Sequence, residues 1–224
     1  SRAFNDMPLE RVLLIGQPRN DLLFEPTDFF ANRGIDPSMY NSIGIWLPTY
    51  KQSFVGDIRK DGIFNENGIA FLTLDDLKRL DQFLADTNNL LIVKLHPMDI
   101  LQNYDFPPFE NLMIIKQKDF KEQLYPLLGA CSYLLTDYSS VWVDYCILQR
   151  PIGFVMNDVG EYENSRGFTI DNIIDLLPGT ILNTFENISA FIETPNVIRT
   201  NKSHLFNSYM DDHSSDRIYK ALIG

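Results

Sequence analysis

Apolar runs of strand length alternate with amphipathic stretches along most of the chain. "SIGIWLP" (42–48), "NLLIVKL" (89–95), "LMIIK" (112–116), "SYLLT" (132–136), "IGFVM" (152–156) and "TILNT" (180–184) read as strands. Between them lie helical patterns: "LDDLKRLDQFLAD" (74–86), "DFKEQLYPLLG" (119–129), a segment from about 139 to 148, and "FENISAFIE" (185–193). Thr73 and Asp76 form a capping box for the first, Asp119 and Glu122 a capping pair for the second, and Pro126 should kink or shorten that second helix. Strands that are apolar on both faces and separated by helices predict an α/β fold, a Rossmann-like parallel sheet with helices on both faces.

The first forty residues fit this alternation less well. "RVLLIG" (11–16) predicts a strand, but the stretch after it has no clear period. Residues 1–40 therefore read as a connection from a preceding domain with edge elements. Residues 41–224 read as the Rossmann-like domain, ending in a helix that starts near Ser214 or Ser215 and crosses its surface.

Composition narrows the function classes. The 224 residues are 45% hydrophobic, enough for a sizeable core, and no run of about 18 apolar residues suggests a membrane span. A formal net charge of −11 argues against a duplex nucleic-acid partner, whose phosphates are bound mainly by Lys and Arg. Cys131 and Cys146 sit inside apolar segments, as buried reduced thiols do in a cytoplasmic protein, and "SRAFNDMPLE" has no signal-peptide core.

In an open parallel sheet, ligands bind beyond the carboxyl ends of the strands. The polar residues following the predicted strands collect there: Thr49, Tyr50 and Lys51 after the first, then His96 and Pro97, then Asp137, Tyr138, Ser139 and Ser140 after Thr136. Asn157 and Asp158 follow the next strand, and Glu161 and Arg166 lie in its loop. Hydroxyls, an imidazole and two cations along one edge suit a phosphate ester. "TDYSS" (136–140) has two readings, a helix N-cap or an anion site built on unpaired amides and hydroxyls. His96 is either a structural imidazole or a phosphate ligand, and Lys51 and Arg166 are either solvated loop charges or its counter-ions. His204 and His213 read as surface residues. No Cys/His cluster has zinc spacing and there is no G-x-S-x-G, so neither a metal site nor a serine hydrolase is expected.

"LIVKLHP", then "YLLTDYSSVWVDY" and "RPIGFVMNDVGEYENSRGF", resemble the CDP-glycerol glycerophosphotransferases of teichoic-acid synthesis. "GQPRNDLLF" (16–24) and "IWLPTYK" (45–51) are similar to further stretches of that family. The resemblance implies the C-terminal, nucleotide-binding half of a two-domain GT-B enzyme, the N-terminal domain being absent. It implies that His96, Thr136, Asp137, Ser139 and Ser140 line the donor's phosphates with Arg166 nearby, and that Thr49 and Lys51 face the interdomain cleft. The implied donor is CDP-glycerol or another CDP- or CMP-activated group, and the acceptor a polyol phosphate or glycan at the inner membrane face. No cofactor is implied, and the general base and any peripheral membrane contact would come from the absent domain. CMP-sugar transferases share a similar "HP" and "SS" arrangement, and a non-catalytic nucleotide-binding domain could use the same fold.

Overall fold

A computed structural model describes residues 8, 10, 12–50, 68–157, 159–160, 173–195 and 203–223. Six strands, β1 (Ser42–Leu47), β2 (Asn89–Lys94), β3 (Leu112–Ile115), β4 (Tyr133–Thr136), β5 (Ile152–Val155) and β6 (Thr180–Leu182), make one sheet. Every pairing is parallel and the order is β3-β2-β1-β4-β5-β6. The direction of winding thus reverses between β1 and β4, where the carboxyl ends leave a crevice.

The period-two alternation of each strand feeds two cores. Ile43, Ile45, Leu90, Ile92 and Leu134 face one side, covered by α2 (Leu124–Ala130), α3 (Val141–Tyr145) and the segment around Leu23 to Phe30. Trp46, Leu91, Val93, Tyr133 and Leu135 face the other, covered by α1 (Leu74–Asp86) and, after the short α4 (Ile173–Leu176), by α5 (Phe185–Glu193). Gly44 in β1 is set by this packing, because a Cβ there would run into the buried Tyr133 ring.

Helix α1 begins as expected: Thr73 Oγ1 accepts from the Asp76 amide at 3.2 Å and Asp76 returns the bond to the Thr73 amide at 3.0 Å. Within it, Asp81 accepts from the amides of Glu110, Asn111 and Leu112, which anchors the entry to β3. Helix α2 departs from expectation. It starts at Leu124, with Gln123 as its cap, and Pro126 falls in the first turn, where a missing N–H is harmless. Asp119 and Glu122 do not cap it. Glu122 instead pairs with Arg33 at 2.7 Å and accepts from Asn32 at 3.0 Å, and the Arg33 bond holds its carboxyl down at about 2.

"RVLLIG" is the second correction. Residues 12–17 join no strand, and Leu13 and Leu14 are exposed, because the segment runs beside the end of the chain, where Arg217 Nε donates to the Ile15 carbonyl at 2.9 Å, and not along the edge strands β3 or β6. The chain then turns in 3-10 geometry over Pro18–Phe24 and ties to the last helix, α7 (Ser214–Ile223), which follows α6 (Ser203–Phe206). Asp21 accepts from the amides of Ser214 at 2.9 Å and Ser215 at 2.8 Å, so the expected start of α7 is capped from the far end of the chain. Cys131 and Cys146 are free, buried thiols, burial pushing both up to about 12. Among the described residues, no helix is long and apolar enough to cross a membrane.

Candidate functional site

The crevice between β1 and β4 is held by residues from both strands' exits. Thr136 ends β4 fully buried, and its Oγ1 donates to the Leu47 carbonyl at 3.1 Å, across the point where the winding reverses. Asp137 is 2% exposed. Its carboxylate accepts from the Thr49 amide at 2.8 Å, from Thr49 Oγ1, and from the Ser139 amide at 3.3 Å. Asp137 is therefore a staple that fixes the β1 exit against the β4 exit and folds its own turn.

The turn "TDYSS" does not resolve as a conventional cap. Ser140 stands at the N-cap position but has helical backbone angles, and its side chain makes no capping bond. The α-helix behind it covers only Val141–Tyr145, with a 3-10 turn over Cys146–Leu148, where a helix from about 139 to 148 was expected. A five-residue helix has little macrodipole, so any anion affinity rests on the turn's amides and hydroxyls. Ser139 is half-buried and Ser140 exposed. Burial rather than propensity holds α3: Trp142 packs edge-on to Phe154 and Phe206, and buried Asp144 receives Arg19 at 2.9 Å and the Tyr125 hydroxyl at 2.7 Å.

His96 leaves β2 one residue after Leu95. Its Nδ1 accepts from the Met98 amide at 3.1 Å, which puts the proton of the neutral ring on Nε2. The ring lies 4.7 Å from that of Tyr50, so the β1 exit touches both the β4 turn, through Thr49, and the β2 exit, through Tyr50. Behind His96, Gln102 donates to its carbonyl at 2.9 Å and accepts from the Gln117 amide at 2.9 Å.

Asp99, three residues past His96, is buried at 4% exposure and accepts from the Leu101 amide at 2.9 Å. Burial pushes its carboxyl up to about 6, with the charge of Asp137 adding to the effect and the Leu101 amide opposing it. Strand-end counting overlooks Asp99 because it is inside a loop. The buried lysine Lys94, the last residue of β2, is overlooked because it lies within an apolar run.

Of the residues expected at the site, Thr49, His96, Thr136, Asp137, Ser139 and Ser140 stand together at one edge, joined as described. Lys51 and Arg166 lie outside the described residues, as do Asp158 and Glu161. Among the described residues, no group of three or more His, Cys, Asp or Glu could hold a metal ion. The edge offers hydroxyls, an imidazole N–H and turn amides around a buried carboxylate staple, a set of donors matched to phosphate oxygens.

Comparison with known proteins gives the family. The family model described as CDP-Glycerol:Poly(glycerophosphate) glycerophosphotransferase matches residues 1–224. A teichoic acid poly(glycerol phosphate) polymerase of Staphylococcus epidermidis is 33% identical over 181 residues, covering 78% of this chain and 23% of the relative. The teichoic acid glycerol-phosphate primase of Bacillus subtilis is 35% identical over 132 residues, covering 58% of this chain and 33% of the relative. A solved structure of the wall teichoic acid polymerase TagF superposes with a TM-score of 0.70 at 26% identity, covering 96% of this chain and 53% of that one.

Proposed function

Because this chain belongs to the CDP-glycerol:poly(glycerophosphate) glycerophosphotransferase family, we propose that it is the donor-binding part of a transferase that moves a polyol phosphate from a CDP-activated donor to an acceptor hydroxyl. The observation that carries the reading is the stapled crevice itself. Thr49, Asp137 and Ser139 lock two strand exits together at the point where winding reverses, beside an imidazole whose proton sits on Nε2.

On this reading CDP-glycerol lies along the strand edge. Ser139, Ser140, the turn amides and His96 Nε2–H donate to its diphosphate, while Asp137 and Thr136 hold the turn in shape. Lys51 and Arg166 are proposed as further phosphate ligands. The acceptor hydroxyl attacks the phosphorus that carries glycerol, its proton passes to a base, the bond to CMP breaks, and CMP leaves with the bridging oxygen's electrons. Donors already aimed at the departing phosphate stabilise that charge without reorganising. The base and the acceptor contacts are proposed to belong to a GT-B partner domain outside these 224 residues. The acceptor is a polyol-phosphate polymer at the inner face of the cell membrane, with any membrane contact made through that partner domain.

A titration of the chain with CDP, CMP, UDP, GDP and CDP-glycerol tests the reading. CDP and CDP-glycerol should bind and UDP should bind less tightly, while the chain alone transfers no glycerol phosphate. Equal affinity for CDP and UDP would remove the cytidine assignment, and transfer by the purified chain would show the base to lie within it. Ser140→Ala separates the phosphate reading from a structural one. With no capping bond to lose, its thermal midpoint should stay put while CDP affinity falls by about 1–3 kcal/mol.

A further inference from the structure

Lys94 presents a buried cation for which the described residues supply no counter-ion. The residue is 8% exposed at the end of β2. Its ammonium donates to Gln117 Oε1 at 3.1 Å and lies 4.9 Å from the centre of the Phe120 ring. Both partners are neutral, and among the described residues no carboxylate reaches it. Burial lowers its pKa accordingly. The slot itself asks for no charge: Leu90 and Ile92, on the same face of the same strand, are plain core residues. A methionine would fill it and remove the desolvation cost.

The sheet register shows where that charge is useful. Lys94 is level with Ile115 on β3, and Trp46 opposite Val93 puts Leu47 level with Lys94 on β1. Leu47 is in turn level with Thr136 on β4. Alternation places the side chains of Lys94, Leu47 and Thr136 on one face of the sheet's last row, so the lysine and the threonine stand two strand spacings apart, about 10 Å. The polar turn begins at the next residue after Thr136, and His96 leaves the same strand two residues after Lys94. A flexible four-carbon stem ends in a point charge with three donors, held on the side of the crevice away from the serines.

We propose that Lys94 is a ligand-binding residue, and that its ammonium takes up a phosphate oxygen of the bound nucleotide diphosphate. The lysine exchanges the Gln117 amide for that oxygen when the ligand arrives, gripping the diphosphate from the β2 side while the turn at 137–140 grips it from the β4 side. The inference rests on the nucleotide reading of the site and adds its cation.

The test compares wild type with Lys94→Met, Lys94→Gln and Lys94→Arg, titrating CDP, cytidine and inorganic pyrophosphate, with a thermal midpoint for each protein. Lys94→Met should fold with an unchanged or higher midpoint, lose about tenfold or more in CDP affinity, and keep its affinity for cytidine. Lys94→Arg should retain part of the CDP affinity. Lys94→Gln, which keeps a polar head, should behave as Met does, and replaces it if the Met variant fails to fold. Undiminished CDP binding in the neutral variants, or an equal loss for cytidine, overturns the proposal while leaving the nucleotide reading intact. Wild type that binds pyrophosphate through Lys94 but does not bind CDP would overturn the nucleotide reading and keep the lysine's role. Binding of neither ligand overturns both.

Discussion

Asp99 carries a carboxyl that the fold keeps out of water and next to a second buried carboxylate, Asp137. Its folded value of about 6 lies above the ordinary value of 3.8, so the folded state favours the protonated form. The associated stability is fully present below about pH 4, where both states are protonated, and is lost as pH rises through 6. Asp99→Asn keeps an oxygen to accept from the Leu101 amide and removes the ionisation. The variant should therefore match wild type near pH 4 and become more stable than it by up to about 3 kcal/mol at pH 8. Thermal midpoints across that range check this, and a gap that does not change with pH would refute it. A carboxyl retained at such expense, with the charge of Asp137 acting on it, fits a binding site better than a core.

The elements show which parts of the chain were legible and why. All six strands lie within the apolar runs that suggested them, most plainly β2, β4 and β5, where cover on both faces buries every residue. The capping box of α1 was equally plain, its partners being three residues apart. Glu122 and "RVLLIG" misled for one reason: each is decided by something remote in sequence, Arg33 in the first case and Arg217 in the second. The site divides in the same way. Residues directly following strands, such as His96 and Asp137, could be collected from the sequence. The Tyr50–His96 contact, Asp99 and Lys94 needed the register. Gly44 offers a test of that register. Gly44→Ala drives a methyl into the Tyr133 ring and should cost about 1–3 kcal/mol in denaturant unfolding. In a Tyr133→Leu background the penalty should shrink markedly, and an unchanged penalty would mean that the close approach lies elsewhere.

At the scale of the whole molecule, one strand order does most of the positioning. With β1 and β4 adjacent and the winding reversed between them, the exits carrying Thr49 and Asp137 meet without a long loop from either. The flanking exit of β2 brings His96 and Lys94 alongside. The chain can carry −11 overall and still be read as an anion binder, because hydroxyl, imidazole and amide donors collect at one edge, where the Asp137 carboxylate is already engaged by Thr49 and Ser139. The two ends of the described chain meet on the same side of the sheet. Arg19 enters α3 through Asp144, and Asn207, just past α6, donates to the Val143 carbonyl at 2.6 Å.

The bond between Asp21 and the Ser214 amide joins positions 193 apart in sequence. A contact so distant closes a very long loop, and the entropy of that closure falls on a peripheral helix with little core to compensate. It should therefore form after the folding transition state, once the sheet has already gathered the chain. Asp21→Ala then removes about 1 kcal/mol of capping from the native state alone. In stopped-flow experiments unfolding should quicken by about fivefold while refolding keeps its rate. A slowed refolding limb would mean instead that the two ends find each other early and that the sheet assembles inside a closed ring of chain.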